Sequence, residues 1–289
     1  MTLRFLLPLI VGAAVRTAAA ADPDGFLPAE SRLVSLASLP AVPPGADRRC
    51  VVRLAPSGRA MVLYRGRLVT LPERPEAPLA DWIPPAAAEP IRDFCWLDPQ
   101  TVVLLRETGL DFINRGKLVR SVLLPGRGMR LARADAGHCY VYGGPSGHQN
   151  RDILLLGAEG GVRNLLRAPQ PVTAVAGDGN RTFAAAGLVV YCLLPGEEPR
   201  AVFRERADIT DLAYAPPAGV FYRTADGVGC MDRPASGLVF LRREIVSLDS
   251  RDERLLLLTP EREVLLITPV AGFPRVIQDV RTFAAGGDR

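Results

Sequence analysis

Lysine is all but missing from this chain: Lys117 stands alone among 35 basic residues, and only two histidines occur, His138 and His148. That scarcity excludes the helical HExxH zinc motif and leaves few imidazoles for base catalysis. Aromatic residues make up 6%, and no aromatic-and-basic motif of a nucleic-acid module occurs. A nucleic-acid partner is therefore not expected, although the formal charge is +4 and the pI near 9.0. The five cysteines, Cys50, Cys95, Cys139, Cys192 and Cys230, are odd in number and contain no CxxC spacing, which favours buried thiols over a disulfide framework or a metal site. Gly144-Pro145-Ser146-Gly147 lacks the last glycine of GxSxG, and Gly177-Asp178-Gly179 lacks the third glycine and the helix of a dinucleotide motif. Both read as turns.

No apolar run reaches the roughly 20 residues needed to span a bilayer as a helix. The longest opens the chain: Arg4, then Phe5 to Val15, then Ala18-Ala19-Ala20-Ala21 before Asp22. A positive start, a short apolar core and small residues at the cut describe a secretory signal peptide over 1–21, with an uncleaved anchor as the alternative. The expected location is periplasmic or secreted, with no transmembrane span in the mature chain.

What the chain has in quantity is turn residues, 27 glycines and 26 prolines, set between short β-branched and aromatic runs. These runs follow a repeat. Starting at Val51, Ile91, Met129, Val172, Ile209 and Ile245, origins 36 to 43 residues apart, each copy has apolar or aromatic residues at its first, fourth and twelfth positions. Ile209, Leu212 and Val220 mark the fifth copy, and Pro216-Pro217 lies in its turn. Four strands and their turns fill about 40 residues in a propeller blade, while a helical array would need longer runs uninterrupted by Gly and Pro. The pattern predicts an all-β propeller, six blades rather than seven, over 51–283. Residues 22–50 read as a lead-in with one strand near Arg32 to Leu36 able to close the ring, another strand is expected at Arg275 to Val280, and 284–289 form a flexible tail.

Ile209-Thr210-Asp211-Leu212-Ala213-Tyr214-Ala215-Pro216, continuing to Asp226-Gly227-Val228, resembles the inner-strand segment of WD40-like and TolB-like propeller repeats. The resemblance implies a closed toroid whose inner strands line a central channel, and a rigid platform for protein partners. The Gly-His and Trp-Asp dipeptides of WD40 repeats are absent from their usual places.

Two channel candidates follow from the repeat. Asp93 and Asp211 share one offset in their copies, and Arg53 holds it in the first. Hydrogen bonding between blades is the expected role, and no cofactor is expected; the alternative is a propeller hydrolase or lactonase with these acids holding calcium in the channel. His138 reads as structural, and His148 belongs to an insertion, Gly143 to Arg151, of the kind where binding residues collect.

Loops between blades and between second and third strands fall on one face of a propeller. Arg65, Arg67, Arg151, Arg223 and Arg243 lie there with other arginines, diluted by Glu107, Asp152, Glu205 and Asp208, whereas Asp98, Asp135, Glu159 and Asp252 fall on the opposite face. The sequence thus points to a non-catalytic scaffold of the cell envelope, whose basic face, through Arg65, Arg67, His148, Arg151 and Arg243, meets an acidic protein or another anionic envelope component.

Overall fold

The computed structural model describes residues 27, 30–41, 50–71, 80–82, 89–124, 129–135, 137–143, 150–177, 180–231, 238–241 and 243–270. The leader at 1–21, His148, the expected strand at Arg275 to Val280 and the tail lie outside them. The described residues form 24 strands in six antiparallel sheets of four, a six-bladed β-propeller.

The first strand, β1 (Arg32–Ser38), belongs to the last blade. Blade one is β2 (Cys50–Leu54), β3 (Ala60–Tyr64), β4 (Arg67–Thr70) and β5 (Ala80–Asp81); blade two is β6 (Asp93–Trp96), β7 (Thr101–Leu105), β8 (Gly109–Asn114) and β9 (Lys117–Leu123). Blade three is β10 (Met129–Asp135), β11 (His138–Gly143), β12 (Asp152–Gly157) and β13 (Val162–Arg167); blade four is β14 (Ala174–Gly177), β15 (Thr182–Ala186), β16 (Val189–Leu193) and β17 (Arg200–Arg204). Blade five is β18 (Asp211–Ala215), β19 (Gly219–Thr224), β20 (Gly227–Cys230) and β21 (Leu238–Leu241), and blade six is β22 (Ser247–Arg251), β23 (Arg254–Leu258) and β24 (Glu263–Thr268). β1 completes blade six on the outside, antiparallel to β24, with Leu33 opposite Ile267. Closure by a strand from the chain's beginning covers an edge that would otherwise be open.

Each inner strand begins within two residues of a repeat origin. In four blades the origin itself, Ile91, Val172, Ile209 or Ile245, is a buried anchor just ahead of the strand. The tight turn at Arg115-Gly116 joins β8 to β9 with φ of 50° and 76°, the two left-handed positions that a two-residue hairpin of this kind requires.

The apolar core is distributed around the ring. Six clusters of buried side chains each join one neighbouring pair of blades, including the pair formed by blades six and one. β23 shows how one strand serves two clusters: Leu255 and Leu257 pack toward blade five, Leu256 and Leu258 toward blade one, and all four are fully buried. Because both faces of a blade are covered, middle strands such as β3 and β23 run apolar almost throughout instead of alternating. Each such leucine contributes on the order of 1.5–3 kcal/mol of burial. All five cysteines are described residues and no disulfide joins them; burial pushes the thiols of Cys50 and Cys95 up to about 12.

Candidate functional site

Where the inner strands of blades one, two, three, five and six begin, the channel widens into a pocket of about 370 Å³. It lies on the entry face, the same face as the turns between second and third strands. At the other level the channel narrows to about 20 Å³ between Arg53, Arg133, Tyr214 and Asp249. The wide mouth is lined by Arg53, Arg92, Arg106, Arg130 and Arg223 against Asp93, Glu107 and Asp211, with Tyr142, Ser247, Val51, Met129 and Val246 between them.

Most of these charges already have partners. Arg53 donates to four acceptors: Asp93 Oδ1 at 3.1 Å and the carbonyls of Val52, Phe94 and Leu131. Its side chain is only 12% exposed, and although burial disfavours the charge, the carboxylates of Asp93, Asp249 and Asp211 outweigh that cost and raise its pKa. Asp93 is filled as well, accepting from the Phe94 amide at Oδ1 and the Leu131 amide at Oδ2, so one carboxylate links blades one, two and three. Arg92 pairs with Glu107 at 2.7 Å, and Arg106 pairs with Asp111 at 3.0 Å.

Asp211 plays the same linking part on the far side. Its Oδ2 accepts from the Leu248 amide at 3.1 Å and its Oδ1 from the Leu212 amide. Asp249 repeats the device between blades six and one, accepting from the Leu54 amide at 2.7 Å. Arg223 approaches Asp211 only to 3.9 Å and donates instead to the Ile245 carbonyl at 2.8 Å. Burial is the leading cause of shifts that disfavour charge on both, raising the Asp211 pKa and lowering that of Arg223. The Nε of Arg223 is buried without a hydrogen-bond partner among the described residues.

Arg130 is the cation left over. It has no carboxylate within 4 Å among the described residues, and it donates over long distances to the Thr173 and Thr210 carbonyls, at 3.4 and 3.5 Å. It sits directly across the β10–β11 ladder from Tyr142, whose ring is buried and whose hydroxyl interacts with the guanidinium. The sequence reading did not single out Arg130, Tyr142 or the channel position of Arg223. Arg223, expected in a loop of the basic face, lies in β19 opposite Asp211 and lines the pocket. The signal available was weak: Arg130 stands one residue after a repeat origin, and nothing local tells which inner-strand residues share the mouth.

Of the other expected site residues, Arg65 occupies the β3–β4 turn with φ 54°, over the Tyr64 ring and bonded to the Ala41 carbonyl at 2.6 Å. Arg67 opens β4 beside it and is exposed. Arg243 pairs with Glu263 at 2.9 Å, and Arg151 is half-buried, its Nε without a hydrogen-bond partner among the described residues. These four stand on the rim of the entry face, outside the pocket lining. His138 bonds Asp135 at 2.5 Å in the β10–β11 turn, on the opposite face.

The acid pair does not fit a calcium site. The oxygens of Asp93 and Asp211 are taken up by backbone amides and, for Asp93, by a guanidinium, and among the described residues no group of three or more His, Cys, Asp or Glu could hold a metal. Nor do the described lining residues pair a nucleophile with a base: Cys50 is held as a thiol, and the Ser247 hydroxyl oxygen accepts from the Val52 amide.

The fold class is that of the WD40 and lyase or lactonase propellers. No known protein family matches the sequence, and no curated protein does. Among solved structures the chain is similar to a protein assigned as a gluconolactonase (15% identity, 87% of this chain and 96% of that one, TM-score 0.58). It is also similar to virginiamycin B lyase from Staphylococcus aureus, solved with quinupristin (9% identity, 86% and 96%, TM-score 0.56), and to the Pan2 WD40 domain of Neurospora crassa (10% identity, 84% and 97%, TM-score 0.52). Enzymes and WD40 domains thus share this architecture, and at these identities the likeness is one of fold alone.

Proposed function

We propose that the chain is an exported, non-catalytic propeller of the cell envelope, periplasmic or secreted, that serves as a protein-interaction platform and takes an acidic partner on its entry face. The observation that carries this reading is the charge around the mouth: five arginines face three carboxylates there, with Arg65, Arg67, Arg151 and Arg243 on the rim. Guanidinium groups held by packing in a rigid ring are pre-organised for carboxylates, and a surplus of positive charge steers an acidic partner to them. Export rests on the leader-like sequence from Arg4 to Ala21; no helix among the described residues is long and apolar enough to cross a membrane.

The test is affinity capture from the native envelope with the full chain, at low and high salt, and with Arg65, Arg67 and Arg243 changed together to Glu. The expected result is an acidic partner lost in the triple variant and weakened by salt, since screening acts over about 10 Å at 0.1 M. Capture indifferent to both would sink the reading.

One observation favours a second reading, that of a propeller hydrolase or lactonase. Polar side chains do converge on a cavity large enough for a small molecule, as they do in enzyme sites. Against it stand the saturation of Asp93 and the lack of a nucleophile paired with a base among the described lining residues. Turnover of ester or lactone substrates that disappears in Asp211→Ala would decide for it.

A further inference from the structure

Resting on the reading of the entry face as the binding face, we propose that its central pocket holds one carboxylate attached to an apolar body, with the carboxylate between Arg130, Arg223 and the Tyr142 hydroxyl. Pairing off the charges of the mouth leads to this ligand. Arg53 belongs to Asp93, Arg92 to Glu107 and Arg106 to Asp111, which leaves Arg130 and Arg223 to share Asp211. Among these lining groups and their pair partners one positive charge is in excess, enough for a monoanion, with the exposed Glu244 a further acid that acts on Arg223. A phosphate dianion would instead place net negative charge in a half-buried site beside Asp211, and such burial is costly.

Arg130, Arg223 and Tyr142 all line this pocket. Besides its contact with the Tyr142 hydroxyl, Arg130 reaches only the Thr173 and Thr210 carbonyls among the described residues, at 3.4 and 3.5 Å, and the buried Nε of Arg223 has no hydrogen-bond partner among them. Burial first, and then the neighbouring Asp211, raise the Tyr142 pKa, so its hydroxyl stays protonated and able to donate. At about 370 Å³ the pocket exceeds what a carboxylate fills, and Val51, Met129 and Val246 supply apolar wall for the rest of the molecule. Two sources offer this chemistry: a free small carboxylic acid, or the C-terminal residue of a polypeptide.

Titration calorimetry on the whole purified chain separates them. The probes are N-acetyl-leucine and its amide, a hexapeptide ending in leucine with a free or an amidated C-terminus, and inorganic phosphate. Binding of the free carboxylates at least about tenfold tighter than of their amides is expected, as for the loss of a charged hydrogen bond. Arg130→Gln should weaken the carboxylates by about tenfold or more and Tyr142→Phe by a smaller factor. Arg130 is exposed, so its variant should fold normally, which circular dichroism verifies. A tighter peptide identifies a chain terminus as the source, and a tighter N-acetyl-leucine identifies a free acid; either supports the site. No preference for carboxylate over amide, preference for phosphate, or binding unchanged in Arg130→Gln overturns it. Failure here with capture still dependent on Arg65, Arg67 and Arg243 would leave the platform standing without a pocket ligand, whereas failure of both would remove the binding face itself.

Discussion

Arg53 and Arg130 both project from inner strands into the same pocket, yet one is part of the wall and the other is not. Arg53 gives four hydrogen bonds to a neighbouring carboxylate and three carbonyls, while Arg130 reaches two carbonyls at 3.4 and 3.5 Å and no carboxylate among the described residues. The difference lies in depth. An arginine 12% exposed has to satisfy its donors within the protein, because leaving them dry costs more than the hydrogen bonds return. An exposed one can leave them to water until a ligand arrives. Charge in a propeller channel therefore divides into groups that hold blades together and groups that remain available, and geometry alone tells them apart.

The largest expected effect tests the wall. Arg53→Ala leaves Asp93 buried beside blade three without its cation, and breaking a buried pair in this way costs about 3–5 kcal/mol. Denaturant unfolding measures it; a loss under about 1 kcal/mol would place Arg53 with the available groups instead.

A smaller effect comes from Asp211, whose pKa is raised chiefly by burial. A carboxyl that binds its proton more tightly when folded destabilises the fold while ionised, and this cost fades as pH falls from the folded pKa to the unfolded value of 3.8. Asp211→Asn keeps an oxygen to accept from the Leu248 amide. The variant should melt above the parent at pH 7, with the gap closing toward pH 4. Melting curves at the two pH values check the sign, and a gap that widens on acidification would mean that Asp211 gains more from Arg223 and Arg130 than it loses by burial.

Least of all should happen to stability in Arg130→Gln, within about 0.5 kcal/mol, as for surface changes away from saturated networks. A loss approaching that of Arg53→Ala would erase the contrast between mouth and wall.

The two arginines also show how much could be read beforehand. Asp93, Asp211 and Arg53 stood out because a repeat offset is a property of the sequence, and the offset put all three on the pocket lining. Arg223 reads as a loop residue of the correct face because its copy gives no sign of where the strand ends: Gly219–Thr224 runs to the rim before reversing at Ala225-Asp226. Tyr142 looked like any aromatic strand residue, and its meeting with Arg130 depends on the register of β10 against β11, which bulges between Arg133 and Asp135.

Sequence alone determined the ring. Repeated apolar positions with Gly and Pro turns between them allow only sheets covered on both faces, and six origins give six such sheets, since each blade buries its sides only against its neighbours. Only the tertiary structure decided that β1 fills the last blade, that Asp93 and Asp211 are used up by neighbouring backbones, and that Arg130 is left with its charge to offer. Those outcomes depend on distances between residues far apart in the chain, and a side chain's partners are fixed only when the ring closes.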